Sequence, residues 1–298
     1  VYIGSMTMIS INTNNGGLFA AKAASQSQAA IDSAMQRLST GSRINNAKDD
    51  AAGQAIATRL TAEIQGLEIA SRNVADGQSL VDTAEGALQE THTLLLRMRE
   101  IGVQAANGTL STSDNQALDA EFQQLVKEID RIAQNTTWAG EKLLDGNGGT
   151  VDTSATFSFQ AGVGNNSGAD VFDVTVKNAD SITLDIYVEQ TVGGVVSNSV
   201  GLLSQSSAQT AIGLVDTAIA TVSSERANLG AVSNRMASTM ANLDQIRVNL
   251  TASKGRIADA DFAAETANLA KGQILQQAAT AMLAQANASK QQVLTLIR

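Results

Sequence analysis

Leu60, Leu67, Val74, Val81, Leu88 and Leu95 stand seven residues apart, and nothing else in the chain limits its fold as strongly. A heptad keeps one stripe of a helix facing the same partner along its whole length. The companion positions three residues on are Glu63, Ala70, Gly77, Ala84, Thr91 and Met98, mostly small, which would let that partner come close. A second series with the same spacing runs through Val215, Val222, Leu229, Met236, Leu243 and Leu250, and Ile257 continues it. Each buried aliphatic side chain contributes about 1.5–3 kcal/mol, more than the interspersed Gly and Thr cost in helix propensity. The two series therefore predict two long helices packed on each other.

Composition supports this reading. The 298 residues contain no proline, so no ring interrupts a long helix. Six Phe, two Tyr and one Trp are the only aromatics, and burial must rest on Ala, Leu, Ile, Val and Met, which suits slender helical packing. Without cysteine there is no disulfide framework, thiolate nucleophile or Cys-based metal site. A net charge of −9 argues against a nucleic-acid partner, and no apolar run reaches membrane-spanning length. The opening "VYIGSMTMISINTNN" lacks a basic stretch followed by an apolar core, so a cleaved secretory signal is not expected.

Between the two heptad regions the period changes. Ser113 and Gln116 in "STSDNQ" read as a capping box that opens a helix over 113–134. "NTTWAGEKLLDGNGGT" breaks the chain into turns, and alternation in "TFSFQ", "DVFDVTVK" and "SITLDIYVEQ" predicts short strands and hairpins. Ser206 with Gln209 restarts helix. The flanking segments 17–40 and 258–298 are rich in Ala and Gln, with Ile31, Met35 and Leu38 on one helical face and Ile274, Met282 and Leu283 in the other segment. The chain finishes on "KGQILQQAATAMLAQANASKQQVLTLIR", an amphipathic helix with no acid and no aromatic. Such helices are marginal alone in water and need partners.

Candidate chemistry is sparse. His92 is the sole histidine, with no second His or Cys to complete a metal site, and it reads as a solvated or seam-edge residue. "AGVGNNSG" has Ser167 where a dinucleotide fingerprint needs its third Gly, and a strand follows it where that motif has a helix, so it reads as a turn. The acids of "KDD" (Asp49, Asp50) and "DADF" (Asp259, Asp261) read as N-cap and first-turn residues. No nucleophile, base and oxyanion donor assemble, so neither an enzyme nor a cofactor or metal is expected.

"SINTN", "QRLSTGSRINNAKDDAAGQAIATRL", "LLLRMREIGVQAANGTLS", "EIDRIAQNTTWAGEKLL" and "GRIADADFAAETANLAKGQILQQAATAMLAQAN" resemble bacterial flagellin, covering about 9–150 and 204–298. The resemblance implies a mainly α fold: a long antiparallel coiled-coil or helical-bundle rod with a small β-rich central insert. Residues 6–45 with 257–298 would form terminal helices lining an inner tube, the polymerisation domain, 46–148 with 204–256 the helical rod, and 149–203 the outer insert. It also implies a self-assembling filament subunit for motility, exported unfolded by a type III apparatus and residing outside the cell in the flagellum. Its partners would be further copies of itself, an export chaperone, and cap and junction proteins; membrane insertion is not expected.

Polymerisation is expected to use Leu18, Ile31, Met35, Leu38, Ile274, Leu275, Met282, Leu283, Leu294 and Ile297. Arg97, Glu100, Ile101, Gln104 and Asn107 lie in a segment similar to the flagellin site read by a vertebrate toll-like receptor, which makes host innate receptors a further implied partner. Many recognised flagellins have Leu-Ser or Leu-Ala where this chain has Ile101-Gly102, and "NASKQQ" lacks a proline typical of the family. The alternative reading is a flagellin-like surface protein whose acidic insert contacts a glycan or other surface ligand; the insert's aromatics are Phe157, Phe159, Phe172 and Tyr187, and alternation would bury most of them.

Overall fold

A computed structural model describes residues 13–145, 154–164, 170–181, 183–186, 189–192, 195–198 and 200–296. Its contacts divide the chain into two compact units, Val1–Ala62 with Asn249–Arg298, and Glu63–Val248. The elements are α1 (Asn15–Thr40), α2 (Ala51–Ala105), α3 (Thr112–Asn135), β1 (Thr137–Trp138), β2 (Glu141–Lys142), β3 (Ala155–Gln160), β4 (Val171–Val176), β5 (Glu189–Val192), β6 (Val195–Asn198), α4 (Gln205–Ala258) and α5 (Phe262–Leu296). The boundary between the units falls within α2 and within α4.

In the unit Glu63–Val248 the heptad positions form the core. Leu67, Val74, Val81, Leu88 and Leu95 are buried, as are Val215, Val222, Leu229, Met236 and Leu243. Leu60 and Leu250, in the other unit, are half-buried. Three polar pairs fix an antiparallel register of α2 and α4: Gln78 donates to Ser233 Oγ at 2.6 Å, Arg226 to Glu85 at 2.7 Å, and Arg99 to Asp216 at 2.6 Å. Close backbone approach between these two helices is sparse, however. Large Leu, Val and Met side chains keep the axes apart despite the small companion residues, in the manner of side-chain-dependent interaxial distance. Gly77 is one point of tight packing, since a Cβ there would lie 2.9 Å from Met236 Cε and 3.1 Å from Phe159 Cδ2.

Both helix starts differ from the sequence expectation by two residues. Ser111 and Asp114 form the capping box of α3, in place of Ser113 and Gln116. These hydrogen bonds from the Ser111 side chain and then its backbone N–H hold the Asp114 carboxyl below its ordinary value. At α4 the reciprocal pair is Ser204 and Ser207, in place of Ser206 and Gln209. After α3, β1 and β2 make a two-residue hairpin with positive φ at Ala139 (52°) and Gly140 (92°), the geometry that a type I′ turn demands.

The insert is a pair of antiparallel ladders, β3 with β4 and β5 with β6. The expected strand over "SITLDIYVEQ" begins only at Glu189. Asp180 captures the preceding segment as a turn: its carboxylate accepts Thr183 N–H at 2.8 Å and its carbonyl accepts Leu184 N–H at 3.1 Å. Three helix carboxylates hold the insert's backbone, Asp119 accepting from Leu202 N–H, Asp130 from Ser181 N–H and Glu225 from Lys177 N–H. The aromatics are used in packing. Phe172 is buried with the Arg235 guanidinium 4.2 Å from its ring centre, Phe157 and Phe159 are half-buried, and Tyr187 lies outside the described residues.

Candidate functional site

In the unit formed by Val1–Ala62 and Asn249–Arg298, α1 and α5 pair along their length. As residue numbers rise on α1 they fall on α5. Asn14 donates to Ala286 O, Gln276 donates to Gln28 Oε1, Ile31 covers Gly272, and Arg37 meets Glu265 Oε1 at 3.2 Å. The helices are therefore antiparallel. Their seam is made mainly of small residues, with Ala20, Ser27 and Ala34 seven apart on α1 and Gly272 and Ala279 seven apart on α5, the latter series continued by an ion-paired Glu265, all buried. Ser27 satisfies its hydroxyl on Ala23 O at 2.9 Å, and Glu265 accepts from Arg37 and Asn268.

Local signals set both ends of the pair. Asn14 caps α1 by accepting Gly17 N–H at 3.0 Å. Gly41 ends it in the left-handed conformation, φ 69°, where its missing Cβ avoids strain. The "GSRINNAKDD" segment then ties off the last turn of α4: Ser42 Oγ donates to Ala258 O at 2.9 Å, and the Arg43 guanidinium donates to Ile257 O at 2.7 Å. Those carbonyls have no partner within the helix and favour a cation beside them. Asp50 accepts Gly53 N–H at 2.8 Å as the N-cap of α2, and Asp261 accepts from Ala263 and Ala264 N–H at α5. Asp49 accepts Asn46 and Asn45 N–H, and the Asn46 bond foremost holds its carboxyl below the ordinary range.

The large apolar residues of this unit divide into two groups. Ile31 is buried in the seam, and Leu38 and Leu283 are half-buried. Leu18, Met35, Ile274, Leu275 and Met282 are exposed, Ile274 at 66% and Met282 at 64%, and Phe19, which the sequence reading passed over, is exposed at 74%. Leu294 belongs to α5, its side chain beyond those described, and Ile297 lies outside the described residues. An open groove of about 890 Å³ runs along the pair, with Phe19, Ala23, Leu275 and Met282 in its lining.

Of the receptor-like segment, Arg97, Glu100, Gln104 and Asn107 are exposed, and Ile101 is buried. Arg97 donates to Glu121 at 2.8 Å and to Glu100 at 3.0 Å, hydrogen bonds that raise its already high pKa. Gly102 faces α4, where a Cβ would stand 3.1 Å from Ile212 Cγ1. Among the described residues no cluster of three or more His, Cys, Asp or Glu could hold a metal ion, and no helix is long and apolar enough to cross a membrane.

The bacterial flagellin N-terminal helical region matches residues 11–148, and the C-terminal helical region matches residues 212–297. A flagellin of Halalkalibacterium halodurans is 45% identical over 266 residues, 89% of this chain and 91% of that relative. A flagellin of Bacillus subtilis is 42% identical over 304 residues, 97% of this chain and 99% of that relative. Among solved structures, a chain described as a flagellar hook-associated protein from Vibrio parahaemolyticus aligns with a TM-score of 0.56 at 15% identity, a likeness of fold, over 71% of this chain and 100% of that one. A β-rich insert set between helices that pair their own ends, matched at both terminal regions, places the chain in the bacterial flagellin family, as a structural subunit of the flagellar filament.

Proposed function

We propose that copies of this chain polymerise through the outer faces of α1 and α5, in a heterologous, non-closing contact that builds a helical tube. The observation that carries this reading is the exposure of Leu18, Phe19, Met35, Ile274, Leu275 and Met282 on a helix pair whose seam is already filled by small residues. Several large apolar side chains exposed on one helix pair, three of them lining one groove, mark an interaction site. Covering those side chains in a neighbouring copy contributes about 1.5–3 kcal/mol each.

In this reading residues 6–45 with 257–298 are the polymerisation domain, 46–148 with 204–256 the helical rod, and 149–203 the outward insert. The chain travels unfolded through a type III apparatus to the cell exterior. A chain without proline or cysteine suits that route, having no X–Pro bond to isomerise slowly and no thiol to cross-link. An export chaperone takes the apolar "VLTLIR" end, cap and junction proteins take the helical ends of the polymer, and the exposed Arg97, Glu100, Gln104 and Asn107 offer a host innate receptor its contact.

The test is deletion of residues 1–45 and 257–298. The remaining chain keeps the α2–α4 seam and is expected to sediment as a helical monomer that forms no filaments on salting out. Filaments of even diameter from that protein, seen by negative-stain microscopy, would overturn the reading.

A further inference from the structure

Three Asn-Gly dipeptides occur in the chain, Asn15-Gly16, Asn107-Gly108 and Asn147-Gly148. Glycine after asparagine leaves the next backbone nitrogen sterically free to reach the side-chain carbonyl carbon, provided that the backbone can turn to bring them together. The fold treats these sites differently. Asn15 and Gly16 are held in the first turn of α1, and Asn147 lies outside the described residues. Asn107 and Gly108 stand in the connector between α2, which ends at Ala105, and α3, which begins at Thr112.

Asn107, Gly108 and Thr109 are all exposed. Gly108 N–H donates to no acceptor among the described residues, so it is available as a nucleophile. Asn107 Oδ1 accepts Thr109 N–H at 3.3 Å. That bond polarises the Asn107 Cγ=O group and is aimed at the oxygen on which negative charge develops when a nucleophile adds to Cγ.

We propose that Asn107 is a self-modifying site, and that the fold directs the reaction there in preference to Asn15. Solvent base takes the proton of Gly108 N–H, and the nitrogen bonds to Asn107 Cγ. The Cγ–Nδ2 bond breaks and ammonia leaves, closing a five-membered succinimide. Water then opens the ring. Attack at Cγ restores the original backbone link and leaves aspartate. Attack at the main-chain carbonyl leaves the chain running through the side chain as isoaspartate. Water is consumed, ammonia is released, and no oxidant or reductant takes part. The product adds a negative charge to the exposed end of the segment that carries Arg97, Glu100 and Gln104, and the isoaspartate product lengthens the link into α3.

The experiment incubates the full chain in mildly alkaline buffer, folded and in denaturant, and follows the tryptic peptides 1–22 and 100–127 by fragment-resolved mass spectrometry. The turn at Asn107 is held by two long backbone bonds, Asn107 N–H to Gln104 O at 3.2 Å and Leu110 N–H to Asn107 O at 3.3 Å, and opening so exposed a connector costs little, so folded Asn107 is expected to convert within about fivefold of its rate in denaturant. Asn15 is expected to convert more slowly than Asn107 in the folded chain and equally fast in denaturant. Both aspartate and isoaspartate should appear. Gly108→Ala fits the site, because a Cβ there stands 3.8 Å from Gln205 Oε1, and it should slow conversion severalfold. Protection of folded Asn107 beyond that range, equal rates at Asn15 and Asn107 in the folded chain, aspartate as the sole product, or an unaffected Gly108→Ala variant would each overturn the proposal.

Discussion

The two helix pairs of this chain solve the same heptad problem in opposite ways. Along α2 and α4 the repeat positions carry Leu, Val and Met, which are buried and hold the helix backbones apart. Along α1 and α5 they carry Ala, Ser, Gly and a paired Glu, and the backbones approach closely. In the first pair the largest apolar side chains face inward and complete a core. In the second only Ile31 enters a seam otherwise made mainly of small residues, and Leu18, Phe19, Met35, Ile274, Leu275 and Met282 stay exposed. The α2–α4 pair, here the inner pair of the sequence, thus buries its large apolar residues within one molecule, and the α1–α5 pair, at the two ends of the sequence and here the outer pair, leaves most of its own exposed.

The contrast can be broken first at the inner seam. Leu229→Ala removes a side chain with 0% exposure, and the cavity left in such a core costs about 2–5 kcal/mol. Denaturant unfolding of the monomer should show the loss as a lower midpoint at an unchanged slope. A cost below the range for an exposed residue would mean that the α2–α4 contact is not a core. The outer seam responds to the opposite change. In Gly272→Ala the new Cβ would lie 2.8 Å from Ile31 Cγ1, and overpacking of this kind costs about 1–3 kcal/mol. Amide exchange in α1 and α5 should quicken by about 5–150-fold, with α2 and α4 unchanged. Uniform quickening would show that the two pairs do not unfold separately.

Much of the inner pair was legible in the sequence because a hydrophobic period reports large residues. Ten of the thirteen heptad positions, Leu67 to Leu95 and Val215 to Leu243, are buried, and Leu60, Leu250 and Ile257 are half-buried. The outer seam was legible only in part. Reading Ile31, Met35 and Leu38 as one apolar face found the stripe, yet only Ile31 is buried and Met35 is 53% exposed. The signal that defines the seam is the small-residue heptad of Ala20, Ser27 and Ala34 against Glu265, Gly272 and Ala279, and hydropathy does not register it. Cap positions were ambiguous for a different reason. "STSD" and "SQSS" offer several hydroxyls two residues apart, and only the backbone selects Ser111 and Ser204. The strand expected through 181–190 yielded to the Asp180 turn, a local side-chain competition that alternation cannot reveal.

The smallest effect on the folded monomer should come from the residues proposed above to carry the subunit contact. Ile274 and Met282 lie eight residues apart on α5, both exposed, and neither fills the seam. Surface substitutions away from packing or caps usually change stability by within about 0.5 kcal/mol, so Ile274→Gln with Met282→Gln should leave monomer unfolding almost unmoved. A subunit contact made by these side chains would lose them in every copy of the polymer. The variant should therefore need a markedly higher protein concentration to form filaments, measured as the soluble fraction at equilibrium with polymer. Gly272→Ala provides the comparison, because it perturbs the seam and spares the outer face. Destabilised monomers with normal assembly from the double variant would exchange the roles assigned to the two faces of α5. Unmoved monomers that assemble poorly would locate the subunit contact on the outward apolar face.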